Sequence, residues 1–299
     1  MAAPPGPTEY SKERWFPLKR KLSWLGLLPF TLYILAFLGV PTLLAIGSGF
    51  VDADGSFTLG NFSVYENPVI WKTFGSSSLI GLLTALIGAV LGALVCWALT
   101  GVRSDGPLRR SMDAAASVLA QFGGVMLAFA FIATMGAQSI LRVWLRDTWG
   151  IDIYGEGVWL YQLPGLILPY LYFQIPLMVI TFLPAIERLR PQWVESSATL
   201  GANRWQYWRH IGFPVLAPSF LGALLLLFAN SFSSYATAAA LISQGAQIVP
   251  LQIRAALIGE TGASVANTAG VLALGMILVM AVVMVLYSLL MRRAARWQQ

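Results

Sequence analysis

Six long apolar stretches, separated by short polar segments, dominate the chain. Each is long enough to cross the roughly 30 Å hydrocarbon core of a bilayer, which takes about 20 helical residues. They predict membrane-spanning helices at residues 22–48, 73–100, 112–137, 160–183, 215–242 and 265–291. Pro164, Pro169 and Pro176 interrupt the fourth stretch, so we expect kinks there.

The first apolar stretch follows a basic, proline-containing tail at residues 1–21. It is longer than the roughly 7–15 residues of a signal-peptide core, and no small-x-small cleavage site ends it. We therefore interpret it as a retained anchor helix. This interpretation divides the chain into a tail, residues 1–21, and a membrane domain, residues 22–299.

Lys and Arg are distributed unevenly among the connections between these stretches. Fifteen of the nineteen lie in the two terminal tails, the second-to-third connection and the fourth-to-fifth connection. The other connections hold only Lys72, Arg142, Arg146 and Arg254. Because basic residues remain on the cytoplasmic side, both termini are predicted to be cytoplasmic, which requires an even number of spans.

Composition agrees with a membrane protein and excludes other classes. The chain is 57% hydrophobic and 11% charged, with a mean hydropathy of +0.70, whereas soluble domains carry about 25% charged residues. The net charge of +6 does not indicate nucleic-acid binding, because the basic residues are short clusters beside apolar runs. Cys96 is the only cysteine, and no Cys/His cluster suggests a metal site.

The connection between the fourth and fifth stretches, residues 184–214, does not resemble a flexible linker. Pro191 can begin a helix, Gly201 can end it, and Asn203 can cap a second one. Two short helices in an L are therefore predicted. They could lie on the bilayer as interfacial helices or form a docking surface for a soluble partner. The apolar positions fall at helical spacings: Trp193, Ala198, Leu200, Trp205, Trp208 and Ile211.

The same connection resembles a known motif. Glu195, then Gly201, then nine residues to Ile211, then Pro214 is similar to the EAA loop of binding-protein-dependent ABC importer permeases. Ser196 and Ser197 replace the two alanines of that motif, and Phe213 replaces its leucine. Small residues are thus retained where the family has them, and the cytoplasmic location with two later spans also agrees.

The resemblance implies an all-α, six-helix membrane protein of the type I ABC importer permease fold, with a cytoplasmic coupling helix. It implies that a dimer of ATP-binding cassette ATPases docks at this loop. ATP and Mg²⁺ would be bound by those ATPases, and this chain would hold no cofactor. A second permease chain, expected to be a paralogue, and an external solute-binding protein would complete the assembly in a bacterial inner membrane. The residues implied to couple to the ATPase are Glu195, Ser196, Ser197, Gly201, Ala202 and Pro214.

The residues also argue against several energy sources and against an enzyme. No lysine follows a glycine, so the Gly-Lys-Ser/Thr of a phosphate-binding loop is absent. No acidic residue is predicted deep in a span, as proton or sodium coupling would favour, and Asp113 comes nearest. The only histidine, His210, lies in the loop, which argues against an intramembrane protease.

Neutral polar residues within the spans are the remaining candidates for a solute pathway. They could instead form hydrogen bonds between helices. The four predicted to face the pathway are Gln121, Gln174, Asn230 and Tyr235.

The solute itself is less constrained. The segment after the fifth stretch resembles permeases of the spermidine/putrescine group, which implies a polyamine-like solute. Acidic residues in the external regions could attract a cation or could simply be solvated loop charges: Asp147, Asp152, Glu156 and Glu260. A carbohydrate or glycerophosphate derivative is the alternative solute, and a secondary transporter or channel is the alternative class.

Overall fold

The computed structural model describes residues 26–52, 54–103, 105–155, 157–242, 247–258 and 267–295. Within these residues the chain is almost entirely helical, with one isolated β-bridge between Val51 and Phe57. Six helical segments are long and apolar enough to cross a membrane. The helices are α1 Leu28–Ser48, α2 Pro68–Thr100, α3 Pro107–Gln121, α4 Gly124–Met135, α5 Ile140–Trp149, α6 Ile167–Glu187, α7 Pro191–Thr199, α8 Arg204–Phe232, α9 Ala236–Leu241, α10 Val249–Leu257 and α11 Thr268–Ala295.

Helices α2, α6 and α8 form the centre of the fold, and glycines let α2 approach α6 closely. A Cβ atom at Gly92 would lie 2.5 Å from the Cβ of Met178, and one at Gly88 would lie 2.9 Å from Oε1 of Gln174. Real side chains do not tolerate such distances. The two glycines therefore act as a small-xxx-small packing face, as is common between membrane helices.

The predicted third span, residues 112–137, is divided between two helices, α3 and α4, which together are called the third crossing here. It begins at Pro107, and a break at Phe122 and Gly123 divides it into α3 and α4. Arg109 contacts Glu187 and the ring of Phe122 contacts that of Tyr172, so α3 runs antiparallel along α6. The segment in this region that is long and apolar enough to cross a membrane is Gly124–Trp149, which comprises α4 and α5, so it begins and ends twelve residues later than the predicted span.

Proline positions in the fourth span differ from expectation. Pro164 lies in a 3₁₀ turn, Leu163–Leu166, and Pro169 lies in the first turn of α6. Only Pro176 and Pro184 lie inside the helix. A proline in the first helical turn removes an N–H that has no partner there anyway, so no kink is required at Pro169.

The second short helix predicted in the loop is the beginning of the fifth crossing. Residues Trp208–Gly212 form a π-turn in which the N–H of Phe213 bonds to the carbonyl of Trp208, so α8 is continuous from Arg204. The wider turn accommodates Pro214, whose ring would otherwise meet the carbonyl four residues earlier. A π-turn likewise precedes Pro41 in α1.

Candidate functional site

The predicted coupling loop folds as a sharp elbow between α7 and α8. Pro191 occupies the first turn of α7. At the other end, Gly201 N–H donates to the carbonyl of Ala198 at 2.9 Å, and Ala202 N–H donates to that of Ser197 at 3.0 Å. This pair of bonds is a Schellman motif. It requires a left-handed residue after the helix, and Gly201 supplies it with φ of +80°.

A capping box starts α8 immediately after this turn. Gln206 N–H donates to Oδ1 of Asn203, and Asn203 N–H donates to Oε1 of Gln206, both at 2.8 Å. The two reciprocal bonds satisfy N–H groups that a helix start leaves unpaired. The elbow is therefore defined by its own hydrogen bonds at both helix ends.

The implied coupling residues are placed mostly on the outside of the elbow. Glu195, Ser196, Gly201 and Pro214 are exposed and Ala202 is half-buried. Ser197 is buried, and its hydroxyl donates to the carbonyl of Val194 at 2.8 Å. The side chain of Leu200, at the tip, is 88% exposed. Val194 and Trp205 of the same elbow are exposed as well, and a group of exposed apolar side chains is typical of a surface that a partner or a bilayer covers.

A groove of about 1140 Å³ lies between α7 and the adjoining ends of α2, α6 and α8. Trp97, Glu187, Pro191, Glu195 and Trp208 contribute to its lining. A smaller cavity of about 430 Å³ lies inside the angle of the elbow, between Trp193, Leu200 and Ile211. The larger groove therefore has both tryptophan and charged side chains in its lining, whereas the smaller cavity is lined mainly by apolar groups.

A buried arginine joins the start of α3 to the end of α6, next to the elbow. Nη2 of Arg109 donates to Oε1 of Glu187 at 2.6 Å, and its Nε donates to both carboxylate oxygens of Asp113 at 3.1 Å. The Arg109 side chain is 9% exposed, whereas those of the two acids are 49% and 48% exposed. From the sequence, Arg109 is only one of the basic residues that indicate the cytoplasmic side, because nothing in the sequence pairs Arg109 with Glu187.

Of the four predicted pathway residues, Gln174 lies in the interior of the chain. It is fully buried, and its Nε2 donates to Oγ1 of Thr84 at 3.1 Å. Thr84 also exchanges a hydrogen bond with Oγ of Ser231 at 2.9 Å. The three residues connect α2, α6 and α8. Among the described residues, Oε1 of Gln174 has no hydrogen-bond partner.

Gln121, Asn230 and Tyr235 are exposed on the surface of the chain, close to two helix breaks. Gln121 ends α3 before its break, and Tyr235 lies in the break between α8 and α9. The breaks meet where Gly124 N–H donates to Oγ1 of Thr237 at 3.0 Å. Discontinuous membrane helices are typical of solute sites, because their free backbone groups line a cavity. Sequence reasoning missed Thr237.

On the opposite side of the domain, a turn after α5 is held by an ion pair. Nε and Nη2 of Arg142 each donate to a different oxygen of Asp152 at 3.0 Å. The hydrogen bond from Arg142, together with one from the Tyr154 N–H, lowers the pKa of Asp152 to about 2. Asp147 contacts Arg146. These two acids are therefore paired, while Glu156 and Glu260 lie outside the described residues.

Comparison with known proteins agrees with this architecture. The chain is 27% identical over 176 residues to the sulfate transport system permease protein CysT of Escherichia coli, covering 58% of this chain and 60% of that protein. It is 31% identical over 170 residues to the trehalose transport system permease protein SugB of Mycobacterium tuberculosis, covering 56% and 54%. The chain thus matches less than two thirds of the length of either relative.

The fold is shared with a chain of a bacterial ABC transporter that imports the acidic polysaccharide alginate. The TM-score is 0.73 at 18% identity, covering 91% of this chain and 96% of that one. A bacterial alginate ABC transporter in complex with an alginate pentasaccharide-bound periplasmic protein gives a TM-score of 0.72, also at 18% identity, covering 91% and 94%. Residues 88–298 match the family described as binding-protein-dependent transport system inner membrane component, and the chain belongs to that family.

Proposed function

We propose that this chain is the permease subunit of an ATP-driven importer and forms half of its solute pathway. The observation that carries the proposal is the elbow of α7, which the Schellman turn at Gly201 and the capping box at Asn203 hold rigid. A rigid element can transmit a displacement, whereas a flexible linker would absorb it. Its exposed outer residues are those that the EAA resemblance assigns to the ATPase contact.

The energy would come from an ATPase dimer that binds ATP and Mg²⁺ and docks on the elbow. A second permease chain would complete the pathway, and we favour a paralogue. An external solute-binding protein would deliver the solute, in keeping with the periplasmic protein bound to the structurally similar alginate transporter. The location that we propose for this assembly is a bacterial inner membrane.

The solute we propose is a neutral or anionic molecule rich in oxygen, in the class of carbohydrates or small oxyanions. The relatives named for sulfate and for trehalose favour this class over the polyamine expected from sequence. The pairing of Asp147 and Asp152 with arginines also weakens the argument for a cation. Gln121, Asn230 and Tyr235, near the two breaks, are the proposed pathway residues.

Co-purification tests the proposed function. The intact chain is compared with Gly201→Asp, and bound proteins are identified by mass spectrometry. Gly150→Asp is the matched control, because Gly150 also ends a helix with positive φ, which is 67° there and 80° at Gly201. At neither glycine would an added Cβ meet an atom within 4 Å. Both substitutions therefore impose the same kind of backbone strain, at opposite ends of the domain.

We expect an ATPase and a second six-span chain to accompany the parent and Gly150→Asp, and the ATPase to be lost from Gly201→Asp. If no ATPase accompanies the parent, a secondary transporter or channel becomes the better interpretation. If Gly201→Asp retains the ATPase, the proposed importer function stands, but the elbow is not the docking surface.

A further inference from the structure

The ion-pair cluster of Arg109, Asp113 and Glu187, here called the Arg109 bridge, lies between the elbow and the third crossing. Glu187 is the last residue of α6, and α7 begins only four residues later at Pro191. Leu189 N–H donates to the carbonyl of Ile186 at 3.0 Å, and Trp193 N–H donates to that of Arg190 at 3.0 Å. The connection is thus short and hydrogen-bonded, so a displacement of α7 reaches Glu187 directly.

The Arg109 bridge pairs two charges that are each unfavourably placed in their own helix. Arg109 lies in the first turn of α3, where a positive charge is unfavourable, and the first turn contains no acid. Glu187 lies in the last turn of α6, where a negative charge is unfavourable. Because the helices are antiparallel, pairing places the cation beside the carbonyl end of α6 and the anion beside the N–H end of α3. Both unfavourable placements become favourable.

Burial makes this contact specific. The Arg109 side chain is 9% exposed and that of Glu187 is 48% exposed, so the protein shields the guanidinium end of the pair from water and salt more than the carboxylate end. From the bridge, α3 runs as one uninterrupted helix to Gln121, beside the break at Phe122 and Gly123. One end of α3 is therefore held by the residue next to the elbow, and the other reaches the proposed pathway.

We propose that Arg109 is a positioning residue that carries the movement of α7 to α3 through its ion pair with Glu187. The proposal rests on the proposed function, since it needs an ATPase that moves α7. When α7 moves, Glu187 draws Arg109 with it, and α3 shifts relative to α4 at the break. The intrahelical pair with Asp113 neutralises Arg109 but transmits nothing between helices.

Two acids of matched exposure allow these roles to be separated. Glu187→Ala removes the interhelical ion pair together with its hydrogen bond and leaves Arg109 neutralised by Asp113. Asp113→Ala removes the intrahelical pair and leaves the bridge to Glu187. Movement is reported by single cysteines in a Cys96→Ala background, at Thr199 on α7 or at Val118 on α3, both of which are exposed. The readout is the rate of labelling by a maleimide in the purified complex, with and without ATP, Mg²⁺ and vanadate.

In the parent, nucleotide is expected to change the labelling rate at both positions. In Glu187→Ala the rate at Thr199 should still respond, whereas the ratio with and without nucleotide at Val118 should fall to one. Asp113→Ala should behave as the parent. A lost response at Thr199 in Glu187→Ala would indicate a merely structural role and overturn the proposal.

A Val118 response that persists in Glu187→Ala also overturns the role of Arg109. So does a Val118 response that is absent from the parent while Thr199 responds, or one that is lost in Asp113→Ala. In those cases the importer function stands. If neither position responds in the parent, the proposed function itself fails and the inference with it.

Discussion

The backbone N–H of Gly124 donates to the hydroxyl of Thr237 at 3.0 Å and joins the break in the third crossing to the break in the fifth. Thr237 is buried, and Gly124 has φ of +74°. The two interruptions are therefore fixed at one level of the domain. A hydroxyl accepts the bond that a continuous helix would have given to a carbonyl.

Thr237→Val should destabilise the domain, because it removes the acceptor at nearly constant shape. Leaving a largely buried N–H unpaired costs about 1–3 kcal/mol. Thr237→Ser retains the hydroxyl and should lose less. Thermal unfolding of the purified protein, followed by loss of its monodisperse chromatographic peak, measures the difference. Equal melting temperatures for the parent and the valine variant would show that the bond does not hold the breaks together.

Glycine packing between α2 and α6 gives a second prediction. Gly92→Ala would place a Cβ 2.5 Å from the Cβ of Met178 and 3.0 Å from the carbonyl oxygen of Ile175. Such overpacking costs about 1–3 kcal/mol. Gly75→Ala, in the same helix, meets nothing within 4 Å and should not lower stability. The two melting temperatures are compared directly, and similar losses would contradict a role for close packing.

The hydrogen-bonded network of Gln174, Thr84 and Ser231 should respond differently to a change at its centre, Thr84, and to a change at one end, Gln174. Thr84→Val removes the partner of both Gln174 and Ser231 and should cost about 1–2 kcal/mol. Gln174→Met removes the amide together with its unpaired oxygen, so the change should stay below about 1 kcal/mol. Unfolding of both variants tests this order. If Gln174→Met abolished solute uptake while remaining stable, Gln174 would also belong to the pathway.

The ion pair of Asp152 predicts a pH dependence. The folded state holds the pKa of Asp152 at about 2, below its ordinary 3.8. The contribution of its ion pair to stability is therefore fully present above the ordinary value. It is lost as pH falls between those two values. The melting temperature of Asp152→Asn should therefore lie below that of the parent at neutral pH, and the gap should close in this acidic interval. A gap that persisted below it would assign the effect to something other than the carboxylate charge.

The sequence predicted the elements whose signals are local. Pro191, Gly201 and Asn203 act within a few residues, and the structure places the start of α7, its end and the cap of α8 at those positions. Six apolar stretches predicted six spans for a similar reason, since length and hydropathy are local properties. The cytoplasmic location of the termini remains a prediction.

Features that depend on distant residues could not be predicted. The break at Phe122 and Gly123 lies in an apolar run with no proline, and its partner Thr237 is more than a hundred residues away. Gln174 was interpreted from its polarity alone, and only packing against Thr84 shows that its side chain faces the interior. A polar residue in a span reveals that something must satisfy it, but not whether that is a solute or another helix.

The most direct test of the docking claim is photo-crosslinking from the tip of the elbow. A benzophenone maleimide is attached to Leu200→Cys in the Cys96→Ala background, in native membranes, and the crosslinked product is identified by mass spectrometry. The control is Phe57→Cys, because Phe57 is exposed and lies in the connection between α1 and α2, away from the elbow. We expect an ATPase subunit to be crosslinked from position 200 and not from position 57. Crosslinks from position 200 to phospholipid alone would show that the elbow lies on the bilayer and would contradict the account.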